Sequence, residues 1–115
     1  MMTRLAYFGL CAAVFVSGCG PSPASLRDRG IAEFQVGHID DAESLLRQAV
    51  DARPAMPEAL YYLGRVNYAT GDLEQAIYYY QCSLDVDPSF TPARRWLTKA
   101  QQEAGRTGQL LLFIP

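Results

Sequence analysis

Histidine occurs once in 115 residues, tryptophan once and cysteine three times, so a metal centre built from several imidazole or thiolate ligands has too few donors. His38 has no second ligand at metal spacing and no motif pairing it with a serine or cysteine nucleophile, and it reads as a turn residue. Charge of one sign is also scarce. Ten Lys and Arg stand against 12 Asp and Glu, a formal charge of -2 that gives no basis for nucleic-acid binding. No apolar run reaches the roughly 20 residues of a mature membrane-spanning helix. The glycines Gly30, Gly37, Gly64 and Gly71 stand singly, at places that packing and turns explain, and form no phosphate-cradling loop. Asp40 and Asp41 sit where they complement a helix N-terminus, and Asp85 and Asp87 lie near a helix end where a turn is due. The expectation is a chain with no catalytic set, no cofactor and no metal: a non-enzyme.

What the chain has instead is an internal echo. Leu26, Gly30, Gly37, Ala42, Asp51 and Pro54 recur 34 residues later as Leu60, Gly64, Gly71, Ala76, Asp85 and Pro88. The recurring types are small, kinking or apolar, as helix packing and tight turns require, while intervening positions drift. A repeat unit of two helices works by presenting a surface, so the pattern points to binding before chemistry.

Start and stop signals divide the segment. Ser22 followed by Pro23 suits an N-cap and first helical position, predicting a helix over about 24–36 that breaks at Gly37 and His38. A second helix covers about 39–52 and ends before Pro54. The next pair runs over about 57–69 and 73–86, with Asp72 and Gln75 in capping-box spacing between them. Thr91 and Pro92 read as a cap and helix start, and Ala93, Trp96, Leu97, Ala100 and Ala104 form an apolar stripe at helical spacing. Its partner helix is missing. The helix over about 91–104 should close the stack with Trp96 in the core, followed by a flexible polar connector at 106–109 and the apolar run Leu110 to Pro115. That run should dock, either on the chain's own helices or on a neighbour, because six such residues are costly to leave in water.

In the second unit Leu60, Leu63, Gly64, Tyr68, Gly71, Ala76, Tyr80, Leu84 and Pro88 fall where the tetratricopeptide repeat family places its packing and turn residues, and the chain resembles that family over roughly residues 23–105. The resemblance implies an all-α fold, a short helix-turn-helix solenoid of two repeats (24–56 and 57–90), a C-terminal capping helix (91–104) and an apolar tail (105–115). The first unit is degenerate, with Arg29 where the second has Leu63. Family ligands lie along the concave face of the first helices of each pair. Carried to matching positions here, the resemblance implies a peptide-binding face of Arg27, Phe34, Tyr61, Arg65, Tyr68, Arg95 and Lys99, with Ile31, Gln35, Ala69 and Gln102 beside them. Cations and rings on that face suit an extended peptide with carboxylates or apolar side chains. The family's carboxylate-clamp pattern is not matched, since Tyr62, Pro92 and Trp96 stand where it needs polar or basic groups. Of Tyr78, Tyr79 and Tyr80, the last should pack inward, leaving at most two exposed on the other helix layer.

The start of the chain has a separate character. Arg4 precedes an uncharged apolar run from Leu5 to Val16, and Val16-Ser17-Gly18-Cys19 closes it. This resembles the leader and lipobox of bacterial lipoproteins: residues 1–18 as signal peptide, Cys19 as the lipidated first residue, and 19–23 as a tether. Gly20, as opposed to Asp, implies sorting to the outer membrane facing the periplasm. With Cys11 lost in the leader and Cys19 capped by lipid, Cys82 would be the one free thiol, a packed small residue in its helix. The implied function is a lipid-anchored adaptor that binds an envelope protein or extended peptide and aids assembly of an outer-membrane, pilus or secretion complex. The alternative is a self-associating structural lipoprotein that stacks through its unfinished third unit.

Overall fold

A computed structural model describes residues 20–112, with side chains through residue 108. The leader, the lipidation expectation at Cys19 and the end of the apolar tail lie outside the described residues.

Among the described residues five helices follow one another: α1 (Pro23–Gln35), α2 (Ile39–Ala52), α3 (Pro57–Thr70), α4 (Leu73–Val86) and α5 (Thr91–Leu112). Their starts follow the sequence signals. The Ser22 hydroxyl accepts from the Ser25 amide at 3.1 Å with Pro23 opening α1, and the Asp72 carboxylate accepts from the Gln75 amide at 3.2 Å at the head of α4. The turns inside each pair pivot on Gly37 and Gly71, whose φ values of 90° and 88° belong to the left-handed region that glycine occupies without strain. Thr91 does not act as a cap. Asp87 arranges the preceding turn by accepting from the Ser89 amide and hydroxyl, and the Thr91 hydroxyl donates back to the Ser89 carbonyl at 3.3 Å.

The last helix corrects the expected boundary. Residues 106–109, read as a flexible connector, are helical, and α5 runs two turns past Ala104 to Leu112. Gly105 and Gly108 each cost a helix only about 1 kcal/mol, whereas proline is what stops one, and Ala104, Arg106, Gln109 and Leu110 around them are good helix formers. The Thr107 hydroxyl bonds the Glu103 carbonyl at 3.0 Å along the way.

Each pair packs antiparallel, α1 on α2 and α3 on α4, and α5 lies on α4. The helix α3 also touches α1 and α5, so α1, α3 and α5 form one layer and α2 and α4 the other. Close approach within pairs depends on glycine. A Cβ at Gly30 would meet Leu46 Cγ at 2.7 Å, and one at Gly64 would run into the ring of Tyr80, with even Cζ at 3.0 Å. Two apolar clusters fill the interior: Ala42, Leu46, Met56, Ala59, Leu63 and Val66 between the repeats, and Tyr61, Ala76, Tyr80, Ala93 and Ala100 beneath α5. The Ser83 hydroxyl, fully buried, donates to the Pro57 carbonyl at 2.8 Å, and the Asn67 amide to the Leu63 carbonyl at 2.8 Å.

Tyr80 packs inward as expected, with no exposed surface, but its hydroxyl has no hydrogen-bond partner among the described residues. Leaving a buried hydroxyl unpaired costs about 1–3 kcal/mol, so Tyr80→Phe should stabilise the domain in urea titration. Burial also pushes the Tyr80 phenol well above its ordinary range. Its proton is held more tightly folded than unfolded, so its contribution is complete below the unfolded tyrosine value of about 10 and is lost as pH rises above it. The phenylalanine variant should lose less stability than the parent on going from neutral to strongly alkaline buffer. An equal alkaline loss in both would place that sensitivity elsewhere.

Candidate peptide-binding face

The layer formed by α1, α3 and α5 exposes a cluster of cations and rings centred on Arg65. Its guanidinium carbon lies 3.8 Å from the centroid of the Trp96 ring, 5.3 Å from that of Phe34 and 5.9 Å from that of Tyr61. Its Nη1 donates to the Tyr61 hydroxyl at 2.9 Å, which fixes the plane of the fork. Lys99 Nζ stands 4.7 Å from the Trp96 centroid and 5.5 Å from that of Tyr68, and the Tyr68 and Trp96 rings meet edge to face at 5.0 Å. Three helices therefore contribute to one site: Phe34 from α1, Arg65 and Tyr68 from α3, Trp96 and Lys99 from α5. Attraction between a cation and a ring is worth about 0.5–2 kcal/mol each, enough to hold the side chains in place before a ligand arrives.

Among the described residues no carboxylate lies within 4.0 Å of Arg65 or Lys99. Glu103 marks the edge of the site, where its carboxylate accepts from the Tyr68 hydroxyl. That bond, with partial desolvation, holds the Tyr68 phenol above its ordinary range. It also joins α3 to α5 across 35 residues of sequence.

The other expected face residues are placed differently. Tyr61 is buried, 7% exposed, stacked edge to face on Tyr62 and Phe90 and tilted against Tyr80. It supports the site from beneath and offers a ligand almost nothing. Arg27 is half-buried and already engaged, with Asp28 at 2.8 Å and Glu58 at 3.8 Å, a contact that ties α1 to α3. Arg95 is exposed on α5, outside the ring cluster. Trp96, expected in the core, is half-buried with its ring faces taken by Arg65 and Lys99. A helix that covers a two-repeat stack from one side leaves the residues nearest the concave edge partly open, and Trp96 is at that edge.

A second group escaped the sequence because it forms only when the turn closes. His38 Nδ1 lies 2.6 Å from Glu33 Oε2, and Asp41 brings a carboxylate oxygen into the same cluster, all three ligand atoms within 4.8 Å of one another. His38 therefore does have potential co-ligands in space. The Glu33 bond staples the end of α1 to the start of α2, and His38 supplies no side-chain cap of its own. On the outer layer Tyr78 is 56% exposed and Cys82 half-buried rather than packed away, and the Cys82 thiol beside it holds the Tyr78 phenol above its ordinary range.

Antiparallel helix pairs stacked at a fixed register, with one layer presenting a cluster of side chains from three helices, define a helical-repeat protein of the binding kind. The tetratricopeptide repeat family model matches residues 27–89, and the chain belongs to that family. Proteins of this family work mainly as scaffolds for protein interactions. Comparison with curated proteins finds no match. Among solved structures, the chain is similar to the first TPR of Spaghetti (RPAP3) bound to the HSP90 peptide SRMEEVD, at 26% identity over 73% of this chain and 67% of that one, with a TM-score of 0.71. It is similar to the MamA protein at 25% identity, covering 73% of this chain but only 46% of the other, with a TM-score of 0.70. The second TPR of Spaghetti, at 19% identity and a TM-score of 0.71, shares the fold.

Proposed function

We propose that the chain is a protein-interaction adaptor whose concave layer grips an extended, acidic segment of a partner protein, with Arg65 and Lys99 meeting carboxylates and Phe34, Tyr68 and Trp96 packing its apolar side chains. The observation that carries this reading is the pair of cations set against Trp96 with no acidic partner within 4.0 Å among the described residues. An Arg so stacked is stripped of part of its water and keeps N–H donors for a carboxylate, the setting in which charge-assisted bonds are strongest. The relative with the bound SRMEEVD peptide lends support, since that ligand is a short acidic peptide. Capture of a C-terminal carboxylate in the clamp manner is not part of the proposal, because Tyr62, Pro92 and Trp96 depart from that pattern.

The leader supports a location. Arg4, the apolar run to Val16 and the Val16-Ser17-Gly18-Cys19 match suit lipid attachment at Cys19, and Gly20 suits an outer-membrane anchor facing the periplasm. A binding face held there would serve assembly of an envelope complex such as a pilus or secretion machine. Labelling cells with an alkyne palmitate should mark the chain, and Cys19→Ser should abolish the label and release the protein from the membrane pellet. Persistent labelling of that variant would remove the anchor from the account.

Stacking of copies through the unfinished third unit is less well supported. The exposed positions of α5, among them Arg94, Arg95, Thr98 and Gln101, are polar and suit solvent more than another repeat. To test the concave face itself, a photocrosslinking amino acid can be placed at exposed Gln102, one turn from Lys99, or at exposed Glu74 on the outer layer. The partner should be trapped from position 102, and Arg65→Glu should prevent it. Equal trapping from position 74, or trapping unaffected by Arg65→Glu, would put the partner on another surface.

A further inference from the structure

The turn between α1 and α2 departs from its counterpart in the second repeat at three register positions together. Asn67, Asp72 and Gln75 stand 34 residues after Glu33, His38 and Asp41. In the second unit the side chains of Asn67 and Asp72 serve the backbone: the Asn67 amide donates to the Leu63 carbonyl, and the Asp72 carboxylate caps α4 through the Gln75 amide. In the first unit α2 starts without a side-chain cap, and the three side chains meet one another instead. His38 Nδ1 and Glu33 Oε2 are 2.6 Å apart, and an Asp41 carboxylate oxygen completes a set whose atoms all lie within 4.8 Å of one another. The backbone holds this set in register. Gly37, at φ 90°, reverses the chain, the His38 amide donates to the Glu33 carbonyl at 2.9 Å, and the His38 carbonyl accepts from the Ala42 amide at 2.9 Å.

From this arrangement we infer that Glu33, His38 and Asp41 form a binding site for a divalent transition metal of the zinc type, which ties α1 to α2 across their turn. One imidazole nitrogen with two carboxylate oxygens is a donor set that zinc takes, whereas calcium and magnesium prefer oxygen alone. Donors about 2.0–2.2 Å from a zinc ion stand roughly 3–3.5 Å from one another, so the set needs shifts of only about 1 Å. All three side chains reach solvent and can make such shifts by rotation. The local charge favours a cation. In the two hollows that border the set, the carboxylates of Glu33, Asp40 and Asp41 stand against the guanidinium of Arg29. Asp40 and Asp41 also offset the positive end of α2. Three protein ligands leave further positions to water, so the ion is exchangeable and held more weakly than in a closed four-ligand site. The tie falls on the degenerate repeat, where Arg29 replaces the apolar residue that Leu63 supplies in the second unit. It does not depend on what the concave face binds.

The test is calorimetric titration of zinc chloride into the purified full chain, tag-free, stripped with chelator and kept in detergent. One equivalent should bind, and the melting temperature should rise with zinc concentration, because an ion that bridges two helices favours the folded state. His38→Ala, Glu33→Gln and Asp41→Asn should each weaken zinc binding by at least about tenfold, the lower end of what losing even an outer-shell partner costs a metal site. Helicity by circular dichroism should match the parent in all three, since His38 provides no cap and the side chains reach solvent. Cys82→Ser should bind zinc as the parent does, which separates the site from the thiol. His38 is the sole histidine, so its ring resonances report on the site directly. Nitrogen-15 NMR should show zinc on Nδ1 with the proton on Nε2, and excess magnesium should not reverse the change. No zinc-dependent shift of the His38 ring, zinc binding unchanged in His38→Ala or lost in Cys82→Ser, displacement by magnesium, or a melting temperature that zinc leaves unmoved would each overturn the inference.

Discussion

Gly64→Ala should lower the melting temperature by about 10–20 °C, the largest stability loss expected from adding a single methyl group to this chain. The methyl would enter the ring of Tyr80, which has no exposed surface and packs on Tyr61 at 6.0 Å. Neither partner can yield cheaply. Moving the ring displaces the cluster beneath α5, and moving the backbone separates α3 from α4. Overpacking of this kind costs typically 1–3 kcal/mol and sometimes more, and in a domain this size each kcal/mol is worth roughly 4–8 °C. Gly30→Ala offers an internal comparison. Its new methyl would meet Leu46, whose aliphatic side chain can turn where a tyrosine ring cannot, so a smaller fall is expected. Adding Tyr80→Leu to Gly64→Ala should recover part of the loss that alanine causes relative to the Tyr80→Leu parent. Differential scanning calorimetry on the four variants decides it, and a Gly64→Ala protein that melts like the parent would mean that the close approach of the two helices is not what holds the pair together.

The second large effect falls on binding. Arg65→Glu should weaken partner binding by at least about 100-fold, close to 3 kcal/mol, because it replaces the donor of charge-assisted bonds with a charge that repels the same carboxylates. Arg65→Lys should fall between. It keeps the charge and loses the planar stack on Trp96 and the bond to Tyr61. Binding by the parent should weaken steadily with salt, and the salt dependence should be shallower in Lys99→Ala. Isothermal titration calorimetry reads all three. If Arg65→Glu binds as tightly as the parent, the cation cluster is only a packing device.

Most of the backbone was legible because local chemistry marks it. Ser22-Pro23, Gly71-Asp72 and the 34-residue echo place four helix boundaries to within a residue or so, since caps and left-handed glycines act within a few positions of themselves. The end of α5 was not legible in the same way. Two glycines suggest a break, but the cost of glycine in a helix is small enough for its neighbours to override. The site was half legible. Arg65 and Lys99 occupy one repeat position, 34 apart, as do Phe34 and Tyr68, and the register alone aligns them. The same register aligns Trp96 with Tyr62, which was the available sign that Trp96 belongs to the face and not to the deep core. Tyr61 shares its repeat position with Arg27 and Arg95 yet is buried, because only the middle unit has a neighbour on both sides, Phe90 closing over it. Position within a finite stack is not encoded in a repeat. Nor is the Tyr68 to Glu103 bond, which joins different repeat positions.

Trp96 is the sole tryptophan of the chain, so its fluorescence reports on the centre of the proposed face without any label. Titrating the protein with the partner segment trapped from position 102 should change the Trp96 emission in a saturable way, protect it from acrylamide quenching, and lose both effects in Arg65→Glu. Saturable binding of that segment with unchanged Trp96 emission and quenching would contradict the assignment of the Arg65, Trp96 and Lys99 cluster as the surface through which this protein acts.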